Sequence, residues 1–159
     1  MKSATVFRKQ KTITGVNSFE CSFDAKSINE GFARLLVSAF VSQLDPTVAD
    51  LTDLKTAVSE AVTNSIVPAY RDREKYKSAK VYLSGVYFPD GTVSITVKDR
   101  GCGIEDIKQA MEPLYTTCHS EERSGMGFTV IAGFSDKLKV SSEVGKGTTV
   151  TIEKKVFHG

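Results

Sequence analysis

Two glycine-containing turns constrain the fold of this 159-residue chain more than any other feature of its sequence. The first, Asp99–Gly103 (DRGCG), directly follows a strand-like alternation of apolar and polar residues. The second, Ser124–Phe128 (SGMGF), begins about two dozen residues later and opens a helix-like stretch. Because glycine lets a backbone turn tightly and approach a ligand closely, we expect the two turns to surround one phosphorylated ligand.

The composition limits the class of protein. The length is that of one domain, and 40% hydrophobic residues can supply its core. No run reaches the roughly 18 apolar residues of a membrane helix, and the first residues lack the apolar core of a signal peptide. Three cysteines without a CxxC spacing favour reduced thiols, and a net charge of +2 is too small to indicate nucleic acid binding. We therefore expect one cytoplasmic domain with neither a membrane nor a nucleic acid as its direct partner.

The N-terminal residues differ in pattern from the rest of the chain. Residues 1–16 are polar and aperiodic, which predicts a flexible arm. Weak alternation at residues 17–23 predicts the first strand. We therefore expect a single globular domain over residues 17–157.

Two helices are expected next. The first runs from Ser27 to about Leu44, with Ser27 and Glu30 forming a capping box. Its expected apolar stripe comprises Ile28, Phe32, Leu35, Leu36, Ala39, Phe40 and Val41. The chain then breaks at Pro46, because proline fits the first turn of a new helix better than the interior of an old one. The stripe of the second helix comprises Leu51, Leu54, Val58, Ala61, Val62 and Ile66.

The second half of the chain predicts four strands and two helices around the glycine turns. In order, we expect strands at 81–88 and 93–99, a helix at 104–111, a polar lid at 112–123, a helix at 125–134, and strands at 138–140 and 148–156.

Glu60 and Asn64 lie one helical turn apart, so both project from the same side of the second helix. The Asn64 oxygen suits Mg²⁺ that bridges phosphates, and the Glu60 carboxylate suits a general base that takes a proton from an attacking hydroxyl. Taken alone, such a pair is more often an exposed part of an amphipathic helix.

The two turns each admit a ligand role and an ordinary role. Asp99 can accept a hydrogen bond from the exocyclic amino group of adenine, or it can bond its own backbone in an Asx turn. Arg123, directly before the second turn, can grip phosphate oxygens, or it can be a solvated surface residue. Neither turn decides between these roles by itself.

Five blocks of sequence occur together in a fixed order: FARLLVSAFVSQLDPT, LTDLKTAVSEAVTNSI, VKDRGCGI, EPLYTTCHSEERSGMGFTV and GTTVTI. This set, from about residue 29 to residue 152, closely resembles the GHKL family of ATP-binding proteins, in particular its branch of anti-sigma serine kinases from endospore-forming bacteria. The resemblance implies an α+β fold, a two-layer α/β sandwich with helices packed on one face of a mostly antiparallel or mixed sheet.

The resemblance also implies a function. Members of this branch are homodimers that bind ATP or ADP with Mg²⁺, inhibit a sporulation sigma factor and phosphorylate a serine of an anti-anti-sigma protein. By that likeness Glu60 is the catalytic base, Asn64 holds Mg²⁺, and Arg34 on the first helix contacts a partner protein. The implied nucleotide-binding residues are Asn64, Asp99, Gly101, Gly103, Arg123, Ser124, Gly125, Met126, Gly127, Phe128, Thr148 and Thr149. Thr148 and Thr149 would lie beside the base, and one of them could bond Asp99 directly or through water. The alternative role is structural, because β-branched residues favour strands.

One departure from the family pattern lies beside the catalytic helix. Where the family usually reads I-I-H-G-Y, residues 66–70 read IVPAY, so Pro68 and Ala69 replace a His-Gly pair. Proline has no N–H for the carbonyl of Asn64, so the helix should end or kink just beyond that residue. Three hypotheses remain open: an active serine kinase, a nucleotide-binding module that sequesters a sigma factor without phosphotransfer, and an ATPase module of the gyrase or chaperone kind.

Overall fold

The computed structural model describes residues 16–111 and 127–156. Within them the chain forms, in order, β1 (Asn17–Asp24), α1 (Asn29–Val41), a 3₁₀ turn (Ser42–Leu44), α2 (Val48–Ile66), β2 (Lys80–Tyr87), β3 (Thr92–Asp99), α3 (Ile107–Ala110), α4 (Gly127–Gly133), β4 (Lys137–Glu143) and β5 (Gly147–Lys155). Among these elements, no helix combines the length and the apolarity that crossing a membrane requires.

The strands form one five-stranded sheet in the order β1-β2-β3-β5-β4, and each pairing between them is antiparallel. The predicted sheet is therefore confirmed, and of the two alternatives the antiparallel one is correct. Because β5 pairs with β3 in the antiparallel direction, the end of β3 meets the beginning of β5, where Lys98 pairs with Thr149. This register brings the first glycine turn to the closing hairpin of the chain.

Helices cover one face of the sheet, and α2 packs on β2, β3 and β5 between α1 and α4. Alternation along the strands directs one set of side chains into this layer. The buried strand residues include Val81, Leu83, Val93, Ile95, Val97, Val150 and Ile152. The opposite face carries half-buried or exposed polar residues such as Ser84, Thr96 and Lys98. The two-layer α+β architecture is thus confirmed.

The sequence pattern predicted α2 well. Thr47 caps its N-terminus and accepts a hydrogen bond from the Asp50 amide at 3.1 Å. Five of the six stripe residues are fully or almost fully buried, and Leu51 is partly buried. The helix ends at Ile66, two residues before Pro68, which confirms that the chain leaves the helix just beyond Asn64.

The prediction for α1 was wrong in two respects. The helix begins at Asn29, and its N-cap residue is Ile28, which has no polar side chain to cap it. Glu30 does not complete a capping box and instead bonds Arg34 and the hydroxyl of Ser59 on α2. Several residues of the predicted stripe also face outward: Ile28 is 82% exposed, Leu35 is 71% exposed, and Ala39 is exposed too. The buried residues of α1 are Ala33, Val37, Phe40 and Val41.

The remaining elements are confirmed with shifted ends. The helix predicted at 104–111 is one turn at Ile107–Ala110, and β4 extends beyond the predicted residues to Lys137–Glu143. The arm at 1–15, the predicted lid at 112–123 and the first three residues of the second glycine turn lie outside the described residues.

Candidate nucleotide-binding site

A partly open cavity lies where α2 ends, between the end of β3, the start of β5 and the start of α4. Its polar lining comes from Asn64, Ser65, Asp99 and Thr148. Its apolar lining comes from Pro68, Ala69, Ile104, Ala110, Phe128 and Val150, and Cys102, Gly103 and Gly127 complete it. Four segments that are distant in sequence therefore converge on one cavity that has both polar and apolar lining residues.

Asp99 is the carboxylic acid among the residues that line this cavity, and its pKa is perturbed. It is 3% exposed, and its Oδ1 accepts hydrogen bonds from the amides of Gly101 at 2.9 Å and Thr148 at 3.3 Å. The side chain of Ser65 also bonds it. Burial raises the pKa of Asp99 to about 6, although all three hydrogen bonds act in the opposite direction. The carboxylate is therefore mostly ionised at neutral pH and held in a fixed orientation.

Gly101 and Gly103 have no side chain, and this lets backbone carbonyl groups from other parts of the chain approach them closely. A Cβ at Gly101 would lie 2.2 Å from the carbonyl oxygen of Ala69, and one at Gly103 would lie 2.3 Å from that of Glu143. Gly103 also has a φ of +77°, which other residues rarely adopt. Gly103 lines the cavity, whereas Gly101 does not. The turn is thus packed between the end of α2 and the β4–β5 hairpin.

Thr148 and Thr149 occupy different environments. The Thr148 amide bonds Asp99, and its hydroxyl lies 2.8 Å from the hydroxyl of Ser142 on β4. Ser142 also accepts a hydrogen bond from the Ile104 amide at 2.8 Å, so it ties the hairpin to the residues after the glycine turn. By strand alternation, Thr149 points to the opposite face of the sheet, and it does not line the cavity.

Asn64 and Glu60 also differ in position. Asn64 is 9% exposed and lines the cavity. Glu60 is half-buried one turn earlier on α2 and is not among the lining residues. Ser65, which the sequence analysis did not select, contacts Asp99. The sequence could have indicated Ser65, because it is a polar residue four positions after Ala61, on the buried stripe of α2.

The second glycine turn is described only in part. Gly127 and Phe128 begin α4, are buried and line the cavity. Arg123, Ser124, Gly125 and Met126 lie outside the described residues.

Arg34 lies on the exposed part of α1. Its guanidinium forms an ion pair with Glu30 at 2.9 Å and reaches the hydroxyl of Ser59 at 3.4 Å. Because Ser59 directly precedes Glu60, this cluster joins the predicted partner-binding residue to the helix that carries the predicted base.

Residues 23–154 match a family model described as a histidine kinase-like ATPase domain. The anti-sigma F factor of Clostridium perfringens is 52% identical over 140 residues, which cover 88% of this chain and 97% of that protein. The anti-sigma F factor of a Geobacillus species is 51% identical over 138 residues, which cover 87% and 92% of the two chains. The chain belongs to the anti-sigma F factor family. The family assignment made from the five sequence blocks is thus confirmed, and the matched domain is an ATPase domain, a class that binds nucleotide.

Solved structures agree on the fold of this anti-sigma F factor family member. The structure of the RsbU and RsbW domains of Rv1364c from Mycobacterium tuberculosis superposes with a TM-score of 0.62 at 14% identity, over 91% of this chain and 34% of that one. The mycobacterial sensor histidine kinase MprB superposes with a TM-score of 0.53 at 16% identity, over 69% and 74% of the two chains.

Proposed function

We propose that this protein is an anti-sigma factor that binds and inhibits a sporulation sigma factor and, with ATP and Mg²⁺, phosphorylates a serine of an anti-anti-sigma protein. The observation that carries the proposal is the convergence of Asn64, Asp99, Thr148 and Gly127 on one cavity of an ATPase domain. The relatives that match over most of the chain are anti-sigma F factors. A sigma factor acts in the cytoplasm, so the proposal also places the protein there.

The cavity suits an adenine base. A carboxylate that is mostly ionised at neutral pH can accept a hydrogen bond from the exocyclic amino group of adenine, and the buried Asp99 lines the cavity. The apolar side chains of Ile104, Phe128 and Val150 provide surfaces for a planar ring. Because two backbone amides fix the carboxylate through Oδ1, base recognition would need little reorganisation.

The phosphates would lie towards Asn64 and the start of α4. An amide oxygen is a ligand type that Mg²⁺ accepts, and Asn64 lines the same cavity as Asp99. Asn64 would hold the metal there, and the metal would supply positive charge that offsets the negative charge of the phosphates. We assign the residues of the second glycine turn and the arginine before it to the phosphate side of the site: Arg123, Ser124, Gly125, Met126, Gly127 and Phe128. We assign Gly101, Gly103 and Thr148 to the base side. Thr149 would support the strand that carries Thr148.

Glu60 is the proposed general base. Its carboxylate would accept the proton of the substrate serine while the serine oxygen forms a bond to the γ-phosphorus of ATP. The bond from that phosphorus to the β–γ bridging oxygen breaks, and ADP leaves. Glu60 lies one turn from Asn64 on α2 and outside the cavity lining, so the proposal places the substrate serine between Glu60 and the γ-phosphate.

The exposed part of α1 supports the partner assignments. Three large apolar residues are at least half exposed here: Ile28, which directly precedes the helix, and Phe32 and Leu35, which lie on it. β1 lies at an edge of the sheet, so one side of it has no neighbouring strand within the described residues. We assign the homodimer contact to this apolar stripe and the β1 edge, and a contact with the sigma factor or the anti-anti-sigma protein to Arg34.

Phosphate transfer to a defined substrate tests the enzymatic part of the proposal. The protein is incubated with ATP, Mg²⁺ and the anti-anti-sigma protein of the same organism, and phosphoserine is measured by mass spectrometry. Glu60→Gln should retain ATP binding and lose at least a hundredfold in transfer rate, since general base catalysis contributes about that much. Glu74→Gln, at a 90% exposed side chain, is the matched control. Equal rates for the wild type and Glu60→Gln would remove Glu60 from the role of base.

A second candidate is a sequestering module that binds nucleotide and transfers no phosphate. The observation that favours it is Pro68, which lines the cavity where the family usually has histidine. If the wild type binds ATP and the sigma factor but forms no phosphoserine, this second function replaces the first.

A further inference from the structure

We infer that Tyr70 is a positioning residue for base recognition, acting through a hydrogen bond to the backbone that carries Asp99. This inference rests on the proposed function, because it assumes that Asp99 accepts a hydrogen bond from the nucleotide base. Tyr70 itself does not line the cavity.

The Tyr70 hydroxyl joins three separate segments of the chain. It accepts a hydrogen bond from the Arg100 amide at 2.6 Å and donates one to the Lys80 carbonyl at 2.7 Å. One bond therefore holds the residue directly after Asp99, and the other holds the first residue of β2. A neutral phenol can make both bonds at once, because it carries one proton and can also accept. Burial raises the pKa of Tyr70, which keeps the hydroxyl protonated at neutral pH.

Ala69 makes a second contact with the same turn. Its carbonyl accepts a hydrogen bond from the Cys102 amide at 2.9 Å, and the absence of a side chain at Gly101 makes room for this approach. Residues 69 and 70 thus hold the turn by its amides on both sides of Gly101. The position of the Asp99 carboxylate depends on this turn, since its Oδ1 bonds the Gly101 amide.

Pro68 explains why these contacts matter in this chain. α2 has ended at Ile66, so no further turn of the helix positions Ala69 and Tyr70. Arg73 bonds the carbonyls of Ile66 and Ala25, which anchors the helix end. Tyr70 is 2% exposed and packs edge-on against Tyr76 with ring centroids 5.2 Å apart. The buried ring holds Tyr70 in the core, and the hydroxyl in turn holds the backbone of the glycine turn.

Tyr70→Phe keeps the ring and removes only the hydroxyl. Tyr76→Phe is the matched control. The ring of Tyr76 packs edge-on against Tyr70, but the hydroxyl of Tyr76 takes no part in the contact with Arg100. The probes are ATP and purine riboside triphosphate, which lacks the exocyclic amino group. Calorimetry gives the Kd of each nucleotide for each protein, and thermal unfolding confirms that the variants are folded.

For the wild type and Tyr76→Phe we expect a preference for ATP of about tenfold or more, as one hydrogen bond to a charged acceptor provides. For Tyr70→Phe we expect the Kd for ATP to rise about fivefold while that for purine riboside triphosphate changes less than twofold. An equal loss for both nucleotides, or no loss for either, would overturn the inference and make Tyr70 a purely structural residue. If the wild type itself shows no preference for ATP, base recognition by Asp99 fails in the proposed function, and the inference fails with it.

Discussion

The amide of Thr148 at the beginning of β5 donates a hydrogen bond to the carboxylate of Asp99 at the end of β3, over 3.3 Å. The two residues are 49 positions apart in sequence, and the antiparallel register of β3 and β5 brings them together. A buried acid is thereby fixed where two strands and a helix end meet.

Asp99→Asn should weaken ATP binding by about tenfold to a hundredfold at pH 7.5, because a hydrogen bond to a charged acceptor becomes one to a neutral group. Calorimetry with ATP and Mg²⁺ measures the change. Asp90→Asn is the control, since Asp90 bonds Thr92 in the distant β2–β3 turn. An unchanged Kd for Asp99→Asn would show that this carboxylate does not contact the base.

The stability of the nucleotide-free protein should depend on the ionisation of Asp99. Its pKa of about 6 in the folded state lies above the usual value of about 3.9 for an unfolded chain. The folded state therefore binds this proton more tightly, so the contribution of Asp99 to stability is greatest below about pH 4 and is lost as the pH rises through 6. The loss amounts to about 3 kcal/mol in the free energy of unfolding.

Urea unfolding between pH 4 and pH 8, in parallel for the wild type and Asp99→Asn, isolates this contribution. The asparagine does not titrate, so the stability of the wild type relative to the variant should fall between pH 4 and pH 6 and stay constant above pH 7. A difference that does not change with pH would contradict the perturbed ionisation of Asp99.

Gly101→Ala should destabilise the protein by about 1 to 3 kcal/mol, the usual cost of adding a methyl group to a packed site. The added Cβ would lie 2.2 Å from the carbonyl oxygen of Ala69, so the turn would have to move and ATP binding should weaken as well. Gly133→Ala is the matched control, since a Cβ there has no neighbour within 4 Å. Thermal unfolding compares the variants, and equal midpoints would show that the turn tolerates the displacement.

Leu35→Glu should convert the proposed homodimer to a monomer without loss of fold. The side chain is 71% exposed, so the change leaves the core intact but places a charge in the apolar stripe of α1. Val144→Glu, at a residue that is 64% exposed in the β4–β5 turn, serves as the control. Sedimentation velocity reports the mass of each species. A dimer that survives Leu35→Glu would place the interface elsewhere.

The strands and α2 could be predicted from the sequence because their apolar residues have a single clear period. Asp99 was recognised at the end of such a strand, and Asn64 was recognised one turn from Glu60 on the helix. For α1 the same reasoning failed, because apolar residues occur on more than one side of this helix. Ala33 and Val37 pack against the core, while the larger Leu35 faces outward. Periodicity alone does not say which of two apolar sides is buried.

Contacts that depend on strand register could not be predicted from residue patterns alone, and the bond between Thr148 and Asp99 was expected only from the family resemblance. Ser142 meets Thr148 only because β4 pairs with β5 in the observed register, and the Tyr70 hydroxyl meets Arg100 only because α2 ends where it does. The sequence around each of these residues contains no pattern that indicates such a contact. Ser65 is a partial exception, since a hydroxyl on the buried stripe of α2 needs a partner.

A crystal structure of the protein with Mg²⁺ and a non-hydrolysable ATP analogue tests the central claim most directly. The account predicts that the exocyclic amino group of adenine lies within hydrogen-bond distance of the Asp99 carboxylate, with the Asn64 side-chain oxygen bound to Mg²⁺ on the phosphates. A nucleotide bound outside the cavity between α2, β3, β5 and α4, or one with its base directed away from Asp99, would contradict the account.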